Sequence, residues 1–308
     1  MTTNAIQSSH IYSTYFAPRG RSRIYTLGMQ IAQLYLSPFD QIIGFIGEAG
    51  SGKSVLIKGM FPGIELTNDD DGVNVRPLPL LEQEYETGFF TPHTYHLDIR
   101  FETGFHQLSE LADAVRLAVR RGKRIIIEHF DLIYPLLGVN ANLLIGVGEQ
   151  IVITRPNLFG PLPQELCDIV YPSLAYRLMA HSAEDLCEYA MTQEQMLACS
   201  HGDIRHGFVL EFNDHQPDID IPTLEARVNE LIRQDLPIDY YDESHILLGG
   251  AQHYCTGPRT HVRSTGRIIG FRLLDHFIYD HFHKTYMLVG CVGDDSEENI
   301  RKLETIHG

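Results

Sequence analysis

Tryptophan is absent, cysteine occupies only five positions, and basic residues are scarce. In a chain of 308 residues, 24 Lys+Arg stand against 40 Asp+Glu, a formal net charge of −16. The acid excess argues against a protein built for non-specific polyanion binding, so any nucleic-acid contact has to be local. The cysteines, Cys167, Cys187, Cys199, Cys255 and Cys291, are odd in number and contain no CxxC spacing, which excludes a disulfide framework. The longest apolar runs, such as Ile125–Ile127, are strand-sized, far short of the roughly 18 apolar residues of a membrane span, so no membrane partner is expected. Residues Met1 to Arg23 are polar and lack an apolar h-region. A cytoplasmic location is therefore the default expectation. What is present, 44% hydrophobic and 21% charged residues, matches a folded globular chain. Its length suits one large α/β domain or two domains of ordinary size.

The first half reads as alternating β and α units. An apolar strand at Gln41 to Ile46 leads through a Gly-rich turn into a helix from about Lys53 to Met60. A second strand is expected at Thr94 to Ile99. A helix from about Gln107 to Arg121 follows, with apolar residues at helical spacing and Gly122 as its stop. Arg124 to Glu128 is a continuous apolar run of the kind expected for a central parallel strand, and another strand is expected at Gln150 to Thr154. The Pro-rich stretch Arg155 to Pro163 breaks the pattern and sets a domain transition near residue 170. Beyond it, a helix at about Ala183 to Cys199, a strand at Gly207 to Phe212, a helix at about Thr223 to Gln234 and short strands out to Gly293 give α+β order.

Gly47-Glu48-Ala49-Gly50-Ser51-Gly52-Lys53-Ser54 fits the phosphate-binding pattern GxxxxGK[ST] at every fixed position, between a strand and a helix. The glycines let successive N–H groups face a phosphate at the positive end of the helix. Lys53 is expected to neutralise the β- and γ-phosphates of ATP, and Ser54 to ligate Mg²⁺. Two acidic partners stand out. Asp69, Asp70 and Asp71 sit together in a turn setting and could hold Mg²⁺ or accept a substrate hydroxyl proton, the alternative being a solvated acidic loop. Glu128 emerges at the carboxyl end of an apolar strand, the edge at which ligands bind in open α/β sheets, with Asp131 as a second choice.

Residues 40 to 160 resemble the P-loop kinases of the uridine kinase type. The likeness rests on Gly47 to Ser54, the acid-bearing loop at Asp69 to Asp71, and the apolar strand ending in Glu128. It implies an α/β P-loop kinase domain with a parallel sheet over residues 1–170, in which one of Asp69, Asp70 and Asp71 acts on the acceptor hydroxyl. The family's Arg-rich lid has only isolated counterparts here, Arg155 and Arg177.

The second half carries a scattered ligand set. His181 and Asp185 are four residues apart, hence on one face of a helix, and Cys255 and His261 flank a Gly-Pro turn. His201 and His206 add imidazoles. A tetrahedral Zn²⁺ on His181, Asp185, Cys255 and His261 is chemically ordinary, while chance pairing among 16 histidines is the alternative.

His201 to Phe212, the helix after it, and Thr260-His261-Val262-Arg263-Ser264-Thr265-Gly266 look like the editing domain of threonyl- and alanyl-tRNA synthetases, also called the second additional domain. The resemblance covers roughly residues 175 to 292 and implies an α+β editing-like domain over residues 171–308. His181 and His261 match the family's first and last metal ligands. Asp185 replaces its second histidine, and five residues separate Cys255 from His261 in place of three. Together the halves resemble bacterial P-loop proteins that carry an alanyl-tRNA synthetase second additional domain. The leading expectation is an ATP- and Mg²⁺-dependent kinase that phosphorylates a hydroxyl of a small nucleoside-like or aminoacyl-like molecule bound by the second domain. The alternatives are a nucleotide-regulated aminoacyl-ester hydrolase, with metal-bound water or Cys255/His261 as the active group and Arg259, Arg263 and Arg267 meeting a tRNA end or phosphate, and a nucleotide-gated binding protein without turnover. Oligomeric state stays open.

Overall fold

The computed structural model describes residues 12–64, 66, 94–213 and 215–307. The chain divides into two compact units. One is built from residues up to Ala17 and Ser22–Tyr171; the other combines Pro18–Arg21 with Pro172–Gly308.

The first unit is a three-layer α/β/α arrangement. Its sheet contains β1 (Tyr12–Phe16), β2 (Ile42–Ile46), β3 (Thr94–Asp98), β4 (Arg124–Glu128), β5 (Leu143–Val147) and β6 (Gln150–Thr154), in the order β1-β6-β5-β2-β4-β3. Strand pleating separates alternate residues to opposite faces. Ile43, Phe45, Ile126, Leu143 and Ile145 join one core cluster with Ile24, Leu27 and Ile31 of α1 (Arg21–Tyr35) and Leu56, Ile57 and Met60 of α2 (Lys53–Met60). Ile42, Ile46, Ile125, Ile127 and Leu144 join the other with Leu111, Val115 and Ala118 of α4 (Leu108–Arg120) and Phe130 and Ile133 of α5 (Phe130–Leu137). A short helix, α3 (Ile99–Glu102), directly follows β3. Covering both faces explains why β2 and β5 are buried at every position. Helices α1 and α2 cross with their backbones in contact. A Cβ on Gly28 would lie 2.5 Å from the Leu56 carbonyl oxygen, and one on Gly59 would lie 2.2 Å from that of Tyr25.

The expectation of a parallel sheet needs correction. Strands β2, β3, β4 and β5 are parallel, but β6 runs antiparallel to β5, and β1 antiparallel to β6. Only two residues, Gly148 and Glu149, separate β5 from β6. That is a hairpin length, whereas a parallel return needs a crossover of a dozen residues or more.

The second unit has a five-stranded antiparallel sheet of β7 (Cys199–Ile204), β8 (Gly207–Asn213), β12 (Arg272–Leu273), β13 (Ile278–Asp280) and β14 (Thr285–Cys291). A three-stranded sheet is formed by β9 (Ile238–Asp242), β10 (His245–Leu248) and β11 (Ala251–Tyr254). Its core joins Phe208, Leu210 and Leu288 of the larger sheet to Leu224 and Val228 of α8 (Ile221–Arg233) and Ala183, Leu186 and Cys187 of α6 (Pro163–Ala190). Helix α6 begins at Pro163, not near Ala183. Proline suits a first helical turn, where its missing N–H is not needed, so the Pro-rich stretch starts this helix, and the division between the two units falls inside it, between Tyr171 and Pro172. A separate short helix, α7 (Gln193–Ala198), is capped by Thr192 and delivers the chain to β7; α9 (Ser296–His307) closes the described chain. Among the described residues no helix is long and apolar enough to cross a membrane.

Candidate functional site

The Gly47 to Ser54 loop joins the carboxyl end of β2 to the first turn of α2. Gly50 and Gly52 take left-handed φ of 79° and 92°, which a side chain would strain. Lys53 is buried, and its Nζ donates to the carbonyls of Gly47 and Glu48, each at 2.9 Å. Ser51 is buried within the loop, and Ala49 lies at its turn.

The strand register brings further groups to this edge. Phe45 of β2 pairs with Glu128 of β4, and Glu128 with Asp98 of β3, so both carboxylates lie at the carboxyl ends of parallel strands. Ser54 Oγ donates to Glu128 Oε1 at 3.1 Å, Lys53 Nζ stands 3.8 Å from Glu128 Oε2, and His96 Nε2 is 3.1 Å from Oε1. Burial opposes ionisation of Glu128, but His96, Lys53 and Ser54 outweigh it and hold the carboxyl below its usual range. Burial lowers the pKa of Lys53 against the attraction of Glu128. Asp98 is pushed up by burial and by Glu128. His129 is held down to about 4 by burial, Lys53 and Arg100, so it is neutral at pH 7. Ligand atoms of Asp98, Glu128 and His129 fall within 4.8 Å of one another, a set of oxygen and nitrogen donors beside Ser54. Arg100 makes a two-point pair with Glu48, at 3.0 and 3.3 Å, which sets a guanidinium at the loop.

Lys53, Ser54 and Glu128 are thus brought together. Asp69, Asp70 and Asp71 lie outside the described residues. Arg155 is not part of this edge: it donates to both oxygens of Asp40, at 2.7 and 2.8 Å, and to the carbonyl of Asn142. Because β6 is antiparallel, its carboxyl end lies beside the amino ends of β5 and β2, at the far side of the sheet from the loop. The other lid candidate, Arg177, donates to the Pro18 carbonyl within the second unit. Asp131 accepts from the Tyr171 hydroxyl at 3.3 Å.

Glu102 sits close to Asp98, is 2% exposed, and its Oε1 has no hydrogen-bond partner. Burial and the Asp98 carboxylate raise it from 4.5 to about 7. A carboxyl raised on folding contributes stability that is fully present below its unfolded value and lost as pH rises through the folded one. Relative to wild type, Glu102→Gln is therefore expected to be more stable at pH 8 than at pH 5 by about 1–3 kcal/mol, as urea unfolding at the two pH values will measure.

In the second unit, α6 carries His181 and Asp185 on one face, and the turn after β11 returns Cys255 and His261 to them. Cys255 Sγ lies 3.5 Å from His181 Nε2 and 3.7 Å from His261 Nε2. Asp185 Oδ1 is 3.8 Å from His181 Nε2, and Oδ2 is 2.8 Å from His261 Nε2. Bonds of about 2.0–2.3 Å to a tetrahedral zinc place ligand atoms roughly 3.3–3.8 Å apart, so three of these spacings fit and the fourth is a hydrogen bond. The far nitrogens are engaged as a ligand histidine requires: His181 Nδ1 with the Thr260 carbonyl at 3.0 Å, and His261 Nδ1 with that of Pro258 at 3.3 Å. The Gly257 N–H donates to Cys255 Sγ at 3.2 Å. Burial, then His261, lowers His181 well below its usual value, which keeps the imidazole neutral. Burial opposes ionisation of Asp185, but His181 and His261 hold it below the carboxylate range. Burial and Asp185 push the Cys255 thiol up, a poor environment for a cysteine nucleophile without a cation beside it.

Sequence reasoning missed Asp98, Arg100 and Glu102, although the rule that singles out Glu128, a charged group at the end of an apolar strand, applies equally to the Thr94–Asp98 strand. His206, grouped above with His201, instead pairs with Asp295 at 2.9 Å and stacks on Tyr176. No protein-family model matches the chain, and no curated protein matches it at a significant level.

Proposed function

We propose that the chain is an ATP- and Mg²⁺-dependent phosphotransferase acting on a hydroxyl of a small nucleoside-like or aminoacyl-like molecule, with the second unit as the acceptor-binding module. The observation that carries this reading is the Ser54–Glu128 hydrogen bond beneath Lys53, at the edge where β2 leads through Gly47 to Ser54 into α2. A hydroxyl and a carboxylate so placed are hard oxygen ligands for Mg²⁺, and Lys53 supplies positive charge for the phosphates. Arg100, and not Arg155, supplies the guanidinium at this edge. Phosphoryl transfer needs positioning and charge neutralisation more than covalent chemistry, and these residue types suit both. The test is calorimetric binding of ATP with and without Mg²⁺, followed by transfer of labelled γ-phosphate to a panel of nucleosides and hydroxy-amino-acid derivatives. Absence of ATP binding would sink the reading.

A second reading, a metal-dependent aminoacyl-ester hydrolase regulated by nucleotide, is favoured by the spacing of His181, Asp185, Cys255 and His261. A zinc ion held there would supply Lewis acidity and a more acidic bound water. On this reading, Cys255→Ala and His261→Ala each remove one equivalent of zinc and lower deacylation of an aminoacyl ester by about 10²–10⁴-fold. Elemental analysis and a deacylation assay on the same preparations check it.

A further inference from the structure

Beyond Asp185, α6 carries Glu188, and β7 returns Cys199 and His201 to it. These two lie two residues apart in a strand and so share a face. Cys199 Sγ is 3.6 Å from Glu188 Oε1, and His201 Nε2 is 2.9 Å from the same oxygen; the ligand atoms of all three residues fall within 4.8 Å of one another. The other nitrogen of His201, Nδ1, faces Glu184 at 3.5 Å, the carboxylate–histidine relation that orients a ligating imidazole. A second observation points to a ligand at the same place. His253 is 8% exposed, its Nε2 has no hydrogen-bond partner, and that nitrogen stands 3.9 Å from Glu188 Oε2.

Carboxylates crowd this stretch of α6. Glu184, Asp185 and Glu188 are 1%, 4% and 7% exposed on consecutive turns of one helix. The Arg19 guanidinium is engaged with Glu184 and Asp203, at 2.5 and 3.2 Å. Buried carboxylates are costly unless compensated; Cys199, Glu184 and Glu188 hold the His201 imidazole in its charged form, up to about 12, and a metal ion at this place would take over from that proton.

We propose that Glu188, Cys199 and His201 form a second divalent metal site, with His253 beside it, on ligands that the His181/Asp185/Cys255/His261 centre does not use. Thiolate, imidazole and carboxylate together select a borderline-soft ion such as Zn²⁺ over Mg²⁺ or Ca²⁺. Three protein ligands leave a coordination position open, and the 29% exposure of the His201 side chain gives solvent access to it. Glu184 is a positioning residue that acts through His201.

The test uses the full chain, stripped with a chelator and titrated with zinc and then cobalt. Cys199→Ser and His201→Gln are each expected to remove one equivalent of zinc, and Cys199→Ser also removes part of the thiolate-to-cobalt charge-transfer absorption. Cys255→Ser is expected to leave that part in place, so loss of the first centre and loss of this one read out separately. Circular dichroism confirms that the variants fold; Cys199 is only partly buried, which makes the serine variant the mild one. The proposal is overturned if stoichiometry and cobalt spectrum are the same in wild type, Cys199→Ser and His201→Gln.

Discussion

Lys53→Ala is expected to weaken Mg²⁺-ATP binding and phosphoryl transfer by about 10²–10³-fold, the range found when one preorganised donor to developing charge is removed. Lys53 is 5% exposed; burial lowers its pKa, and the attraction of Glu128 works against that. Its ammonium donates to the carbonyls of Gly47 and Glu48. A triphosphate offers stronger, charged acceptors in place of those two neutral oxygens. Arginine would not rescue, because its planar fork is bulkier and shaped for two-point contact. Calorimetry measures the binding loss, and the melting temperature of the variant separates it from unfolding. If Lys53→Ala binds Mg²⁺-ATP as wild type does, the phosphotransferase reading is wrong.

The second large effect concerns stability. Arg19→Ala is expected to destabilise the second unit by about 3–5 kcal/mol, the cost of leaving a buried charge without its partner. Arg19 is 3% exposed, pairs with Glu184 at 2.5 Å and Asp203 at 3.2 Å, and donates to the Gly207 carbonyl at 3.1 Å. Its removal leaves Glu184, 1% exposed, among Asp185 and Glu188 with less positive charge. Adding Glu184→Gln to Arg19→Ala is expected to recover much of the loss, because the orphaned charge disappears with it. Hydrogen exchange across β7 and β8 reads the second unit specifically, as the two units need not unfold together. Protection in β7 and β8 unchanged by Arg19→Ala would show that the pairs contribute little.

Much of the first unit was legible because its signals are local. The run Ile125–Glu128 is a buried strand in any register, and Gly47 to Ser54 carries its geometry in its own glycines. Strand β5 and helix α5 were not read from the sequence, since short apolar runs of uniform character do not distinguish strand from helix. The direction of β6 was equally hidden: hydrophobic pattern sets which face is buried, not which way a strand runs. That direction decided the fate of Arg155, which pairs with Asp40 at the wrong end of the sheet for a lid.

The sequence by itself determined the loop with its lysine and serine, the acid at the end of β4, and the pairs His181/Asp185 and Cys255/His261. Each rests on spacing along one element or one turn. Only the tertiary structure decided that the segment after β1 sends Arg19 into the second unit, and that Asp98 stands beside Glu128. It also decided that Cys199 and His201 meet Glu188 on a different element. The physical reason is common to all three. Buried charges find their partners through packing between elements distant in sequence, and such pairings leave no period or spacing in the chain itself.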